Sequence, residues 1–219
     1  MKNLPRLLIS LVTLMCTAGL SLSASAQNAQ AGEKKAAMCI GCHGIPDYKA
    51  SFPEIYRVPM ISGQGAQYIV SALGQYKKGD RKHPSMRAIA ASLSDQDMAD
   101  LAAFYAGESK PTAVPAAPAI TMPPHVAELL KKGNCASCHG TNFNTPIDPS
   151  YPKLAGQHAD YLYVALKEYQ TAKNPQIGRN NAIMVGMAKP FTHAEAKVMS
   201  DYIASLPGDL KTVSQSRWR

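Results

Sequence analysis

The hexapeptide Cys39-Ile40-Gly41-Cys42-His43-Gly44 returns later in the same chain as Cys135-Ala136-Ser137-Cys138-His139-Gly140. The recurrence extends well beyond it. The stretch "PMISGQGAQYIVSALGQY", residues 59–76, finds its counterpart in "PKLAGQHADYLYVALKEY", residues 152–169. Pro59, Gly63, Gln64, Tyr68, Ala72, Leu73 and Tyr76 recur as Pro152, Gly156, Gln157, Tyr161, Ala165, Leu166 and Tyr169, at a constant offset of 93. A repeat of this length marks one structural unit written twice, and it decides the fold.

Each half also closes on the same helix-start signal. Ser94 with Asp97, and Thr192 with Glu195, place a hydroxyl at the N-cap and an acid three residues later. Met98, Leu101, Ala102 and Tyr105 then follow helical spacing, as do Ala196, Met199 and Ile203. Between the halves lies "KPTAVPAAPAITMPP", residues 110–124, with five prolines. Such a segment reads as a semi-rigid extended linker rather than a helix or a central strand. The expected architecture is all-α, with two tandem domains, 27–109 and 125–219, joined by this Pro/Ala-rich linker.

Residues 1–26 read differently. Lys2 and Arg6 precede an apolar run from Leu7 to about Leu22, and Ala24-Ser25-Ala26 ends it, the layout of a cleaved signal peptide. The apolar run is short for a membrane-spanning helix. Export to the periplasm is therefore expected, with at most peripheral membrane association. Removing the leader takes away Cys16, Lys2 and Arg6, so the 23 basic and 15 acidic residues become 21 and 15, and the net charge of +8 becomes +6. The basic residues form no dense run interleaved with aromatics, so nucleic acid is not an expected partner.

On a helix, positions i, i+3 and i+4 share one face. Cys39, Cys42 and His43 therefore present two thiols and an imidazole together, and Cys135, Cys138 and His139 do the same. That arrangement suits two thioether bonds to a haem with the histidine as proximal iron ligand, the c-type attachment signature. A thioredoxin-like motif needs a surrounding strand–helix pattern. A structural zinc needs a fourth ligand in each half, and a plain disulfide leaves both histidines unexplained. Two covalently bound haem c groups are the expected cofactors. They also supply an apolar centre to small domains in a chain with only four phenylalanines and one tryptophan.

The sixth ligand is read from register. In the first half Met60, Met86, Met98 and His83 are the candidates. Met98 lies on the apolar face of the last helix, and Met60 follows the cysteine motif on the proximal side. Met86 closes a loop that can wrap the haem edge, and His83 in that loop is the alternative. Leu93-Ser94 matches Phe191-Thr192 and Asp97 matches Glu195 at an offset of 98, which carries Met86 onto Met184. Met187 falls instead on Ile89, so it is expected to pack rather than ligate.

Together the two CxxCH motifs, the Pro-x-x-x-Gly-Gln segments at Pro59–Gln64 and Pro152–Gln157, and "MRAIAASLSDQDMADLAAFYAG" from Met86 resemble the di-haem cytochrome c4 family. The resemblance spans essentially the whole mature chain. It implies two cytochrome c folds facing each other, His/Met ligation of each haem, and electron transfer toward a terminal oxidase. It also implies that backbone near Pro59 and Pro152 accepts a hydrogen bond from the proximal histidines. The chain departs from the pattern at "IPDYKASFPEIYRVPM", three residues longer than its counterpart between His and Gly-Gln, and at "MAKPFT", where Pro190 interrupts the helical run.

Met/His ligation fills both axial positions, which suits a carrier of single electrons rather than an enzyme. The expected partners are redox proteins: a quinol-oxidising complex, a terminal oxidase or a dehydrogenase. The alternative is a haem subunit or catalytic haem chain of an oxidoreductase, such as a sulfide, thiosulfate or alcohol dehydrogenase or a di-haem peroxidase. Lys77, Lys78, Arg81, Lys82 and Arg87 crowd the loop around Met86 and are expected to steer docking onto an acidic partner.

Overall fold

The computed structural model describes residues 27–108, 121–171 and 173–214. The expected signal peptide with Cys16, and residues 109–120 of the expected linker, lie outside the described residues. The described chain is mostly helical, with only four two-residue strands.

In the first half, α1 (Ala29–Lys35) runs into α2 (Ala37–His43), followed by a hairpin of β1 (Lys49–Ala50) and β2 (Tyr56–Arg57). Then come α3 (Ala66–Lys78), β3 (Arg81–Lys82), α4 (Pro84–Ala91) and α5 (Asp95–Gly107). The second half has α6 (Pro124–Lys132), α7 (Ala136–His139), α8 (Ala159–Gln170), β4 (Gly178–Arg179), α9 (Ala182–Ala188) and α10 (His193–Ser205). Pro124, the last residue of the expected linker, opens α6 from its first turn, where its missing N–H leaves no bond unmade.

Both expected capping boxes form. The Ser94 hydroxyl accepts from the Asp97 N–H and the Asp97 carboxylate from the Ser94 N–H at the start of α5; Thr192 and Glu195 repeat this at α10. Met98, Leu101, Ala102 and Tyr105 are buried with Ile40, Ile69 and Leu93 in one core. Val126, Leu130, Phe143, Leu162, Phe191, Met199 and Ile203 form the other. In the first half α1 crosses α5 at Gly32, where a Cβ would stand 2.0 Å from the Asp100 carbonyl oxygen. Only glycine permits that approach. The Asp100 carboxylate fixes the crossing by accepting from the Asn28 N–H at 3.0 Å, Lys35 Nζ at 2.8 Å and Gln96 Nε2 at 2.7 Å.

The three-residue excess of the first half folds into the β1–β2 hairpin, which reaches across to α8. Arg57 donates from its backbone N and its Nε to the Asp160 carboxylate, Lys167 pairs with Glu54, and the Tyr56 and Tyr161 rings lie 6.3 Å apart. The halves also share a ladder, Arg81 opposite Arg179 and Lys82 opposite Gly178, and a bridge between Ser62 and Lys211. The departure from the repeat is thus a clasp between the two halves.

Candidate haem sites

Helix α2 presents Cys39, Cys42 and His43 as the helical spacing requires, and they line one cavity of about 640 Å³ together with Met86, Met60 and His83. That volume lies within the range of about 300–1,000 Å³ typical of cofactor sites. Ile69, Leu73 and Leu101 give the cavity apolar walls. The Tyr105 hydroxyl is buried on the wall without a well-formed hydrogen bond. None of the four motif cysteines is in a disulfide, and burial pushes the thiols of Cys39 and Cys135 up. Among the described residues no three His, Cys, Asp or Glu side chains are grouped to hold a metal. Two thiols and the His43 imidazole, with thioethers at Met60 and Met86, around an apolar cavity fit a haem c.

Each motif histidine is anchored through Nδ1, which leaves Nε2 as the free ring nitrogen. His43 Nδ1 donates to the Pro59 carbonyl at 2.8 Å, and His139 Nδ1 to the Pro152 carbonyl at 3.0 Å. Burial holds both rings below the usual histidine range, so each is neutral and carries its lone pair on Nε2. In the second half the turn is shorter. Asn134, in the left-handed region at φ 47°, ends the preceding helix, and Cys135 serves as the N-cap residue of α7.

Met86 and Met184 stand in equivalent places. Each is the third residue of its helix, and its backbone N–H donates to the residue three positions earlier: Met86 to His83 Nδ1 at 3.3 Å, Met184 to Asn181 Oδ1 at 3.0 Å. His83 and Asn181 are themselves 98 apart, so the register extends through the caps. Met187 does not pack as expected: it is 42% exposed, although its counterpart Ile89 lines the first cavity. Arg81 also departs from expectation. It is 4% exposed inside the interface between the halves, so it cannot take part in surface docking. Lys77, Lys78 and Arg87 are the exposed members of the cluster; of the lysines, Lys77 donates through Nζ to the Leu93 carbonyl and the half-buried Lys82 through Nζ to that of Asn174.

The chain matches the family described as Cytochrome c twice, over residues 29–106 and 125–207. It is 33% identical to the cytochrome c4 of Azotobacter vinelandii, covering 90% of this chain and 98% of that one. The chain belongs to the cytochrome c4 family. The crystal structure of reduced recombinant cytochrome c4 from Pseudomonas stutzeri superposes with a TM-score of 0.62 at 25% identity, over 83% of this chain and 100% of that one. A thiosulfate dehydrogenase electron acceptor from Stutzerimonas stutzeri strain A1501 is 30% identical over 86% of this chain and 92% of its own. As a member of the cytochrome c4 family, the chain is a di-haem electron-transfer cytochrome with two covalently bound haem c groups, one for each pair of motif thiols.

From sequence, Gln64 and Gln157 are only repeat positions and Arg81 only a member of a basic loop; the structure makes them, with Arg179, central. Gln64 and Gln157 are each 4% exposed and reach into the opposite half; Arg81 and Arg179 form a buried pair at the interface. The available signal was recurrence: both pairs keep the offsets of the repeat, 93 and 98. A polar residue held twice in a chain written twice has a candidate role.

Proposed function

We propose that this protein is a periplasmic carrier of single electrons between respiratory complexes, toward a terminal oxidase, with His43 and Met86 ligating one iron and His139 and Met184 the other. Cys39, Cys42, Cys135 and Cys138 hold the two haems by thioether bonds. The equivalence of Met86 and Met184, each third in a helix capped by a side chain 98 residues from its counterpart, carries the ligand assignment. Haem c supplies a one-electron iron couple, and a Met/His axial pair raises its potential while leaving no open coordination position. The chain's part is to fix the imidazoles, exclude water and present the redox centres to partner proteins. The leader supports export, and among the described residues no helix is long and apolar enough to cross a membrane.

A second reading follows from the likeness to a thiosulfate dehydrogenase electron acceptor. In it the same carrier accepts electrons from a periplasmic dehydrogenase instead of a quinol-oxidising complex. Absorption of the oxidised holoprotein tests the ligand set: a Met–iron charge-transfer band of two-haem intensity is expected, with no rapid cyanide binding. A band at half that intensity overturns full Met ligation. Stopped-flow reduction by a purified quinol-oxidising complex and by a thiosulfate dehydrogenase then separates the two donors.

A further inference from the structure

The two glutamines of the repeat bind the opposite half as well as their own, where Gln64 Oε1 accepts from the Gly65 N–H at 2.9 Å and Gln157 Oε1 from the His158 N–H at 3.0 Å. Gln157 Oε1 accepts from the Met60 N–H at 3.0 Å, and Gln157 Nε2 donates to the Met60 carbonyl at 2.9 Å. Reciprocally, Gln64 Oε1 accepts from the Lys153 N–H at 2.9 Å, and Gln64 Nε2 donates to the Lys153 carbonyl at 3.0 Å. Both amides are buried. The Met60 N–H belongs to the same peptide group as the Pro59 carbonyl that accepts from His43 Nδ1. Likewise, the Lys153 N–H shares a peptide group with the Pro152 carbonyl that accepts from His139 Nδ1. Each chain of bonds therefore runs from the histidine of one half, through a single peptide group, to a glutamine of the other.

We propose that Gln157 and Gln64 are crossed positioning residues: Gln157 tunes the haem held by His43, and Gln64 the haem held by His139. The inference rests on the two histidines being iron ligands. A peptide group whose N–H is donated to an acceptor carries a more negative carbonyl, because hydrogen bonds in series polarise one another. A stronger acceptor at Pro59 pulls the His43 Nδ1 proton, makes the imidazole a more basic ligand and favours ferric iron. Gln157 thus lowers the potential of the first haem from the far side of the interface. The same short segment also carries the coupling back. Residues 59–64 hold both the carbonyl that binds His43 and the glutamine that binds the other half, and Gly63 at φ 86° turns the chain between them; Gly156 at φ 75° does so in the second half. A shift of either segment is felt at both histidines, as linkage requires.

The test is a haem-resolved redox titration of the holoprotein, following the assigned haem methyl resonances of each site, for wild type, Gln157→Leu, Gln64→Leu and Asp160→Asn. The last variant removes the charge from the Arg57–Asp160 pair without touching either amide. Gln157→Leu is expected to raise the potential of the first haem more than that of the second, and Gln64→Leu to do the reverse. Asp160→Asn is expected to reproduce neither pattern. Equal shifts at both haems, or shifts confined to the mutated half, overturn the proposal. Should the leucine variants not fold, the wild type still decides: the Met60 N–H and the Gln157 side-chain amide resonances are expected to move on reduction of the first haem. No movement overturns the proposal. Hyperfine-shifted ring protons of His43 and His139 in the oxidised protein report ligation separately. With them present and no crossed effect, the relay alone fails; with them absent, the ligand assignment fails and the relay with it.

Discussion

Arg81 and Arg179 face each other as partners in the ladder that joins the two halves, and both are buried, at 4% and 8% exposure. Each guanidinium lies over two tyrosines of its own half, Tyr68 and Tyr76 for Arg81, Tyr161 and Tyr169 for Arg179. Each also donates to a tyrosine hydroxyl, Arg81 to Tyr68 at 3.0 Å and Arg179 to Tyr161 at 3.3 Å. The two cages differ at one repeat position. Arg179 Nε donates to the Glu168 carboxylate at 2.6 Å, whereas Arg81 Nε donates to the neutral Gln75 amide at 2.9 Å.

Among the described residues, Glu168 is therefore the only carboxylate that pairs directly with either of these arginines. Replacing it by Gln leaves two buried cations without that compensation. Removing one partner of a buried ion pair costs about 3–5 kcal/mol. Glu168→Gln is expected to lower stability by roughly that amount, measured by denaturant unfolding of the holoprotein. Gln75→Glu, the reverse change in the first half, is expected to be far milder.

At the α1–α5 crossing, helix propensity and packing oppose each other. Gly32→Ala gains about 1 kcal/mol in propensity, but its Cβ would meet the Asp100 backbone at 2.0 Å. Overpacking against backbone costs about 1–3 kcal/mol or more, so net destabilisation is expected. Gly74→Ala is the control: it lies inside α3 with nothing within 4 Å of its Cβ, and is expected to stabilise by about 0.5–1 kcal/mol. Thermal unfolding of both variants checks the sign.

The same crossing carries a pH dependence. Lys35, the Asn28 N–H and Gln96 hold the Asp100 carboxyl below the usual carboxylate range, and Asp100 and then Asp97 hold the Lys35 ammonium above the usual lysine range. The depressed acid contributes stability that is present above the unfolded carboxylate pKa, about 3.9, and is lost as pH falls through its folded value. The raised base contributes stability that is complete below the unfolded lysine pKa and is lost as pH rises through its folded value. Asp100→Asn is expected to shrink the acid limb of a thermal-stability profile and leave the unfolding behaviour of α10 unchanged.

Docking should depend on the exposed part of the basic cluster alone. Reversing Lys78 and Arg87 to Glu is expected to slow electron delivery from an acidic partner and to flatten its salt dependence, because steering by exposed charge is screened by ions. The readout is the second-order rate against ionic strength, and an unchanged slope ends the idea. Arg81→Glu tests something else: it is expected to impair folding, since that residue is buried.

The paired methionines separate by spectrum. Met184→Ala is expected to remove half of the Met–iron charge-transfer absorption and open one iron to cyanide. Met187→Ala is expected to leave the band intact and change stability by less than about 1 kcal/mol, as for an exposed residue. The reverse result exchanges their roles.

Much of this was legible from sequence because it is local or repeated. The Cys-x-x-Cys-His spacing needs one helical turn, a capping box needs four residues, and the offsets of 93 and 98 align the halves without any coordinates. Those offsets also pick Met184 over Met187, and the caps at His83 and Asn181 keep the same register. Side-chain destinations across the interface were not legible. Arg81 reads as one more member of a basic loop until β3 pairs with β4. The extra residues around "SFPEIY" read as a loop of unknown purpose until Arg57 meets Asp160.

The sequence by itself determined two mostly helical cytochrome c units, their thiol and imidazole sets, and the register that links them. Only the tertiary structure decided that Gln157 meets the Met60 peptide beside the His43 anchor and Gln64 the Lys153 peptide beside the His139 anchor. The physical reason is range: those bonds join residues 89 and 97 positions apart, where no helical period or local propensity acts and only the packed interface fixes which amide meets which peptide.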